Sequence, residues 1–193
     1  MKIGFYGHST CAYRGETSFI DLVANSLGAE VVNIGVRMGS EERTLLNLKK
    51  TQPNIAVVFH SQSRLIYAPN REYDFDASSD YGLTEDEIDI RYSYQTYFRD
   101  KELERIRLYG AAMQIEQFCQ DTGIYLINCI DSKHPFPNYI RMSNTNETCM
   151  NIARFQRCEF REHFNGVTAK GNQLIAEYLL NNIAARDGVV KRV

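Results

Sequence analysis

The sequence predicts an α/β domain: a parallel sheet with helices on both faces, a three-layer α/β/α sandwich. Three observations predict it. Short apolar runs alternate with amphipathic helical patterns through the first sixty residues and again after residue 97. One of those runs, Ile55-Ala56-Val57-Val58-Phe59, is apolar throughout, as a strand covered on both faces of a parallel sheet must be. Gly28, Pro53 and Gly123 stand where helical patterns stop, which is where a C-cap glycine or a helix-breaking proline belongs.

In order, Lys2-Ile3-Gly4-Phe5-Tyr6 reads as the first strand. Phe19, Ile20, Val23 and Leu27 then recur at helical spacing as far as Gly28. Glu30-Val31-Val32-Asn33-Ile34 is the second strand, and Gly35 to Gly39 form a loop. Ser40 caps a helix with Glu41 and Glu42 in its first turn, where carboxylates favour the dipole, and with Leu45, Leu46 and Leu48 beyond. The third strand is 55–59. From Ser61 to Asp100 the rhythm breaks: tyrosines (Tyr67, Tyr73, Tyr81, Tyr92, Tyr94, Tyr97) and acids crowd a long irregular insertion, within which Thr84 and Glu87 have capping-box spacing. So long an insertion suggests a lid, a binding loop or an interface between copies, although its charges are the ordinary composition of a solvated face. A helix is expected from about Tyr97 to Cys119, with Leu103, Ile106, Ala111, Ile115 and Phe118 as its apolar stripe. The fourth strand runs from Ile124 to Ile130, and Asn172 to Ala185 close the fold as a helix. Residues 1–193 are read as one domain carrying an insertion at about 61–100.

Composition sets bounds on function. A chain of 193 residues, 44% hydrophobic, can bury a real core, and a net charge of −2 offers no general attraction to nucleic acid or to an anionic membrane. Five cysteines without CxxC spacing suggest reduced thiols rather than a disulfide framework or a zinc ribbon. The N-terminal MKIGFYG lacks the apolar length of a secretory signal, and no run approaches a spanning helix, so a cytoplasmic protein is expected.

Ligands of such sheets bind outside the carboxyl ends of the strands, where loops converge and helix N-termini present free N–H groups. The residues at those ends are Gly7-His8-Ser9-Thr10, then Asn33 to Gly39, then His60-Ser61-Gln62-Ser63-Arg64, then Asp131 to His134. His163 stands ahead of the closing helix. All four histidines fall on this predicted edge.

These strand-end residues resemble the SGNH or GDSL-type hydrolases, three-layer α/β/α enzymes with a flavodoxin-like sheet that cleave esters through a serine following the first strand. Gly7-His8-Ser9 resembles the family's G-D-S block with histidine in place of the aspartate. Asn33-Ile34-Gly35-Val36-Arg37-Met38-Gly39 resembles the second block. His60-Ser61-Gln62-Ser63 stands where G-x-N-D is usual. The segment from Glu162-His163 through Gly166 to Leu174-Ile175-Ala176-Glu177 looks like the last block with extra residues before the glycine. The pattern is most similar to divergent members of the kind found in phage genomes.

The resemblance implies Ser9 as nucleophile and His163 as base; the family's usual acid positions hold Phe160 and Arg161, which leaves the adjacent Glu162, Glu159, Asp131 or a backbone carbonyl to orient the imidazole. It implies Ser9 and Gly39 N–H groups as the oxyanion hole and Gln62 as a third donor, with His8, His60 and Arg64 as further substrate contacts. The substrate would be a small-molecule or carbohydrate ester, cleaved without a cofactor or metal. Arg37 is another edge cation. Two alternatives compete. The fold has been kept as a binding module with the Tyr-rich insertion as its recognition surface, or His8 and His60 join His134, Asp131 or His163 around a metal, although no compact ligand motif supports this. Ser9 and Thr10 also suit a simple loop cap, and Cys11 suits a buried bystander better than a thiol nucleophile.

Overall fold

The structure is a computed structural model and describes residues 1–7, 9–12, 14–36, 39–60, 65–71, 74–76, 83–130, 145–146, 148–155 and 166–186. Its elements are β1 (Lys2–Gly7), a one-turn helix at Ser9–Cys11, α1 (Phe19–Leu27), β2 (Glu30–Asn33), α2 (Glu41–Thr51), β3 (Ile55–Phe59), β4 (Leu65–Ile66), β5 (Phe75–Asp76) and α3 (Glu85–Ser93). A π-helical turn (Tyr94–Phe98) leads on to α4 (Lys101–Thr122), β6 (Tyr125–Cys129), β7 (Thr145–Asn146), α5 (Thr148–Phe155) and α6 (Ala169–Arg186).

The main sheet has the order β2-β1-β3-β6-β7 and is parallel throughout, with β7 contributing only two residues. Side chains of successive strand residues point to opposite faces, and the two faces bury different helices. Ile3, Phe5, Ile55, Val57, Phe59, Ile127 and Cys129 face α1, α5 and α6. Tyr6, Ala56, Val58 and Leu126 face α2 and α4 through Leu45, Leu48, Ile115 and Cys119. The three expected layers are thus present. Because β1 connects to β2 through α1 on one face and β2 to β3 through α2 on the other, the chain reverses direction across the sheet between β1 and β3.

Local chemistry sets the helix ends. Ser18 caps α1 by accepting from Asp21 N–H, and Ser40 caps α2 by accepting from Arg43 N–H. The Thr84 and Glu87 capping box forms as its spacing predicts. Buried Asn172 accepts from Phe19 N–H at 3.0 Å and donates to Val167 O and Thr168 O, so one amide ties the start of α1 to α6.

Two expectations need correction. Within the insertion, the helix suggested by the Thr84 and Glu87 spacing is present and extends to residue 98, but β4 and β5 also pair antiparallel where no strand was expected. The following helix begins at Lys101 rather than Tyr97, because Arg99 is extended and Asp100 caps it by accepting from Glu102 and Leu103 N–H. Its stripe also differs: Ala111, Ala112, Ile115 and Cys119 are buried, whereas Leu103 and Ile106 are exposed. At 22 residues α4 is roughly 33 Å long, while a five-residue strand covers roughly 17 Å, so only its C-terminal half can lie over the sheet.

The insertion is docked by arginines. Asp74, fully buried in an acid-rich stretch, accepts from Ser40 N–H at 2.6 Å, from Ala68 N–H at 2.9 Å and from Arg43 Nη2 at 2.6 Å. Arg43 Nη2 also donates to Ala68 O and Arg71 O, Arg71 pairs with Glu87, and Arg107 bridges Leu65 O and Glu42. Asp74→Ala is expected to cost about 3 kcal/mol, since it leaves the mostly buried Arg43 guanidinium without its counter-charge and the Ser40 and Ala68 N–H groups without their acceptor. Urea denaturation checks it, and a loss below about 1 kcal/mol would show that the anchor carries little of the fold.

Candidate functional site

Among the described residues, the candidate site begins at the carboxyl ends of β1 and β3. Gly7 ends β1 opposite Phe59, the last residue of β3. Its φ is +111°, and a Cβ placed there would lie 1.9 Å from the Phe59 carbonyl oxygen. Only glycine lets β1 run so close to its neighbour and then turn out of the sheet. The turn delivers Ser9 directly into the one-turn helix 9–11, at the crevice where the chain reverses direction.

The second loop closes against the first. Val36 N–H donates to Gly7 O at 3.0 Å, Gly35 N–H donates to Cys11 O at 2.8 Å, and a Cβ on Gly39 would lie 2.7 Å from Gly7 O. Gly39 therefore sits in close backbone contact with Gly7 O, while Gly7 is itself held to glycine by the Phe59 carbonyl. Gly39 N–H donates to Val36 O at 2.9 Å. For it to serve an oxyanion, that hydrogen bond must be shared or the turn must open.

His60, expected on the open edge as a substrate contact, is instead buried, with 5% of its surface exposed. It follows β3 on the α2/α4 face, and both ring nitrogens meet protein groups. Nε2 lies 2.8 Å from Asn128 Oδ1, and Nδ1 lies 3.3 Å from Glu41 Oε2. Asn128 Nδ2 in turn donates to Glu116 Oε2 at 3.0 Å. With the Asn128 amide donating to Glu116, its oxygen must accept from His60, so Nε2 carries a proton. Nδ1 then attracts the Glu41 carboxylate only if it is protonated too. Burial by itself would lower the imidazolium, but Glu41, Asn128 and Glu116 outweigh it and hold His60 above its ordinary range.

The sequence did not single out Glu41, Asn128 and Glu116, which form a buried polar cluster with His60. The one sequence signal was an asparagine interrupting the apolar run of the fourth strand, since a buried amide needs polar partners.

Cys11 is fully buried and its thiol donates to Tyr6 O at 3.1 Å. Burial pushes it well above the ordinary thiol range, which removes the thiolate a nucleophile needs. Cys119, Cys129 and Cys149 are buried as well, and none of the four forms a disulfide among the described residues. Iodoacetamide is expected to leave these four cysteines unmodified in the folded protein and to label them in urea, as peptide mass spectrometry would show. Labelling of Cys11 under native conditions would contradict the burial.

His8, Gln62, Arg64, Glu162 and His163 lie outside the described residues, as do Arg37, Asp131 and His134. Among the described residues, no group of three or more His, Cys, Asp or Glu side chains is placed to hold a metal ion, and no helix is long and apolar enough to cross a membrane.

No family model matches the chain, and no curated protein matches it. Solved structures do. The psychrotrophic esterase EstA from Pseudoalteromonas sp. superposes with a TM-score of 0.55 at 10% identity, over 97% of this chain and 98% of that one. The acetyl xylan esterase Est2A from the rumen bacterium Butyrivibrio proteoclasticus gives 0.51 at 11% identity, over 98% of this chain and 64% of that one, so the chain spans about two thirds of its length. With its sheet order and its two helical layers, the chain has the three-layer, parallel-sheet fold of the SGNH/flavodoxin-like class.

Proposed function

We propose that the protein is a serine hydrolase of small-molecule or carbohydrate esters, acting through Ser9 as nucleophile and His163 as base. The observation that carries this reading is the close contact of Gly7 and Gly39, which packs the loop bearing Ser9 against the loop bearing an oxyanion glycine at the crevice between β1 and β3. Acyl transfer needs a hydroxyl and backbone donors about 3 Å from one reacting carbonyl; the packing of the two loops supports this reading, with Gly39 N–H sharing its hydrogen bond to Val36 O with the oxyanion. The solved structures with the same fold include an acetyl xylan esterase and an esterase inhibited by monoethylphosphonate, which fits an ester substrate and suggests the probe.

In this mechanism His163 takes the Ser9 proton as the hydroxyl attacks the acyl carbon. The N–H groups of Ser9 and Gly39, with the Gln62 amide, hold the charge that develops on the carbonyl oxygen. Protonated His163 then releases the alcohol, and water repeats the sequence on the acyl-enzyme. Glu162 or Asp131 orients the imidazole, and Arg64 and His8 contact the rest of the substrate.

A fluorophosphonate probe with mapping of the labelled peptide tests the reading, alongside turnover of short acyl esters. Labelling at Ser9 with measurable turnover is expected. Neither labelling nor turnover would leave the fold as a binding module, a reading favoured by the exposure of Tyr92, Tyr97 and Phe98 at 53%, 77% and 74%.

A further inference from the structure

We propose that Glu41 and His60 form a buried ion pair that acts as a positioning device for the reaction, holding the Gly39 loop in register with the end of β3. The proposal rests on the hydrolase reading above. Glu41 is the first residue of α2, two positions after Gly39, and only 1% of its surface is exposed. His60 is the first residue after β3, two positions before Gln62. The 3.3 Å approach of Glu41 Oε2 to His60 Nδ1 is therefore a direct side-chain tie between the loop that ends at Gly39 and the loop that begins the third block.

The tie is anchored at both ends. On the α2 side, Asp74 accepts from Ser40 N–H and fixes the helix start. On the sheet side, His60 Nε2 donates to Asn128 on β6, and Asn128 donates to Glu116 on α4, which also accepts from Gln120 Nε2 at 3.1 Å. The described charged or titratable groups around His60 are thus Glu41 from α2 and Glu116 from α4, and Glu41 also acts electrostatically on the Cys11 thiol of the first loop.

With Nε2 donating to Asn128 Oδ1 and the Glu41 carboxylate 3.3 Å from Nδ1, the pair is attractive only while the ring keeps its second proton. If Nδ1 lost that proton, its lone pair would face the Glu41 oxygens, and the attraction fixing the Gly39 loop would become repulsion. Since His60 is held above its ordinary range, the pair is intact below about pH 6.5 and is lost as pH rises through the raised value. The expected consequence is an alkaline limb in kcat, with KM little affected, because the loop acts on the oxyanion and not on the substrate's ground state.

The test combines Glu41→Gln with His60 observed by imidazole NMR, its signals assigned by difference from His60→Gln. In the wild type, His60 is expected to titrate above its ordinary range at the same midpoint as the alkaline limb of kcat. In Glu41→Gln that midpoint should fall by at least about one unit, and kcat should drop about 10-fold, a fraction of the ~10²-fold that a 1 Å misplacement costs. A purely structural role would lower Tm and leave the kcat profile in place. The proposal is overturned by an unchanged profile in Glu41→Gln, or by wild-type His60 titrating more than about one unit from the kcat limb. The second criterion needs no variant and holds even if Glu41→Gln fails to fold. Fluorophosphonate labelling of the wild type separates the two failures. A labelled Ser9 with an unmoved profile sinks only the positioning role, whereas an unlabelled Ser9 sinks the hydrolase reading and this proposal with it.

Discussion

Ser9→Ala is expected to lower kcat/KM for short acyl esters by at least about 10⁴-fold and to abolish fluorophosphonate labelling, with Tm shifted by no more than a few degrees. The size follows from the chemistry, since without the hydroxyl there is no acyl-enzyme and only the oxyanion donors and binding remain. The neighbours offer no substitute. Thr10 is buried, and Cys11 is buried with its thiol bonded to Tyr6 O. The backbone should tolerate the change, because alanine suits the one-turn helix 9–11 and no glycine conformation is required there. Steady-state kinetics on the purified variant, with thermal unfolding as control, measure both halves. Residual activity within about 10-fold of wild type would move the nucleophile elsewhere. A binding module instead predicts that Ser9→Ala keeps ligand affinity.

The backbone plan was more legible in the sequence than the site was. Ile55 to Phe59 could hardly be anything but a central strand, and Ser40, Thr84, Gly28 and Gly123 mark helix ends because capping is local chemistry, settled within four residues. The stripe of α4 was misread for a non-local reason. Leu103 and Ile106 have the right periodicity, but whether a residue is buried depends on how far the sheet extends beneath the helix, and periodicity carries no such information. The short β4–β5 pair escaped notice similarly, since two-residue strands leave no alternation to detect.

At the candidate site, topology brings Gly7 and His60 to the ends of neighbouring strands, as the strand reading expects. What was not legible is which strand-end residues turn inward. His60 looked like an edge ligand, but as the first residue past Phe59 it continues the alternation of β3 to the α2/α4 face and meets Glu41 and Asn128 there. Nothing local announces that Glu41, in a run of charged helix residues, is the buried one; α2 has to be docked on the sheet before its N-terminal carboxylate is seen to face inward.

Gly7→Ala is expected to be the most destabilising single substitution near the site, costing more than about 4 kcal/mol of a total stability that is typically 5–15 kcal/mol. Two independent terms add. A φ of +111° lies outside the basins of an L-residue and costs about 1–3 kcal/mol. The added methyl would also sit 1.9 Å from the Phe59 carbonyl oxygen and 2.9 Å from its carbon, atoms of a central strand hydrogen-bonded on both sides. Gly28→Ala is the control. Its φ is also positive, at +57°, but a Cβ there has open space, so only the backbone term of about 1–2 kcal/mol applies. Urea denaturation of both variants separates the terms. Equal losses would mean that the contact with Phe59 relaxes freely, and the close approach of β1 to β3 would then not be what holds position 7 to glycine.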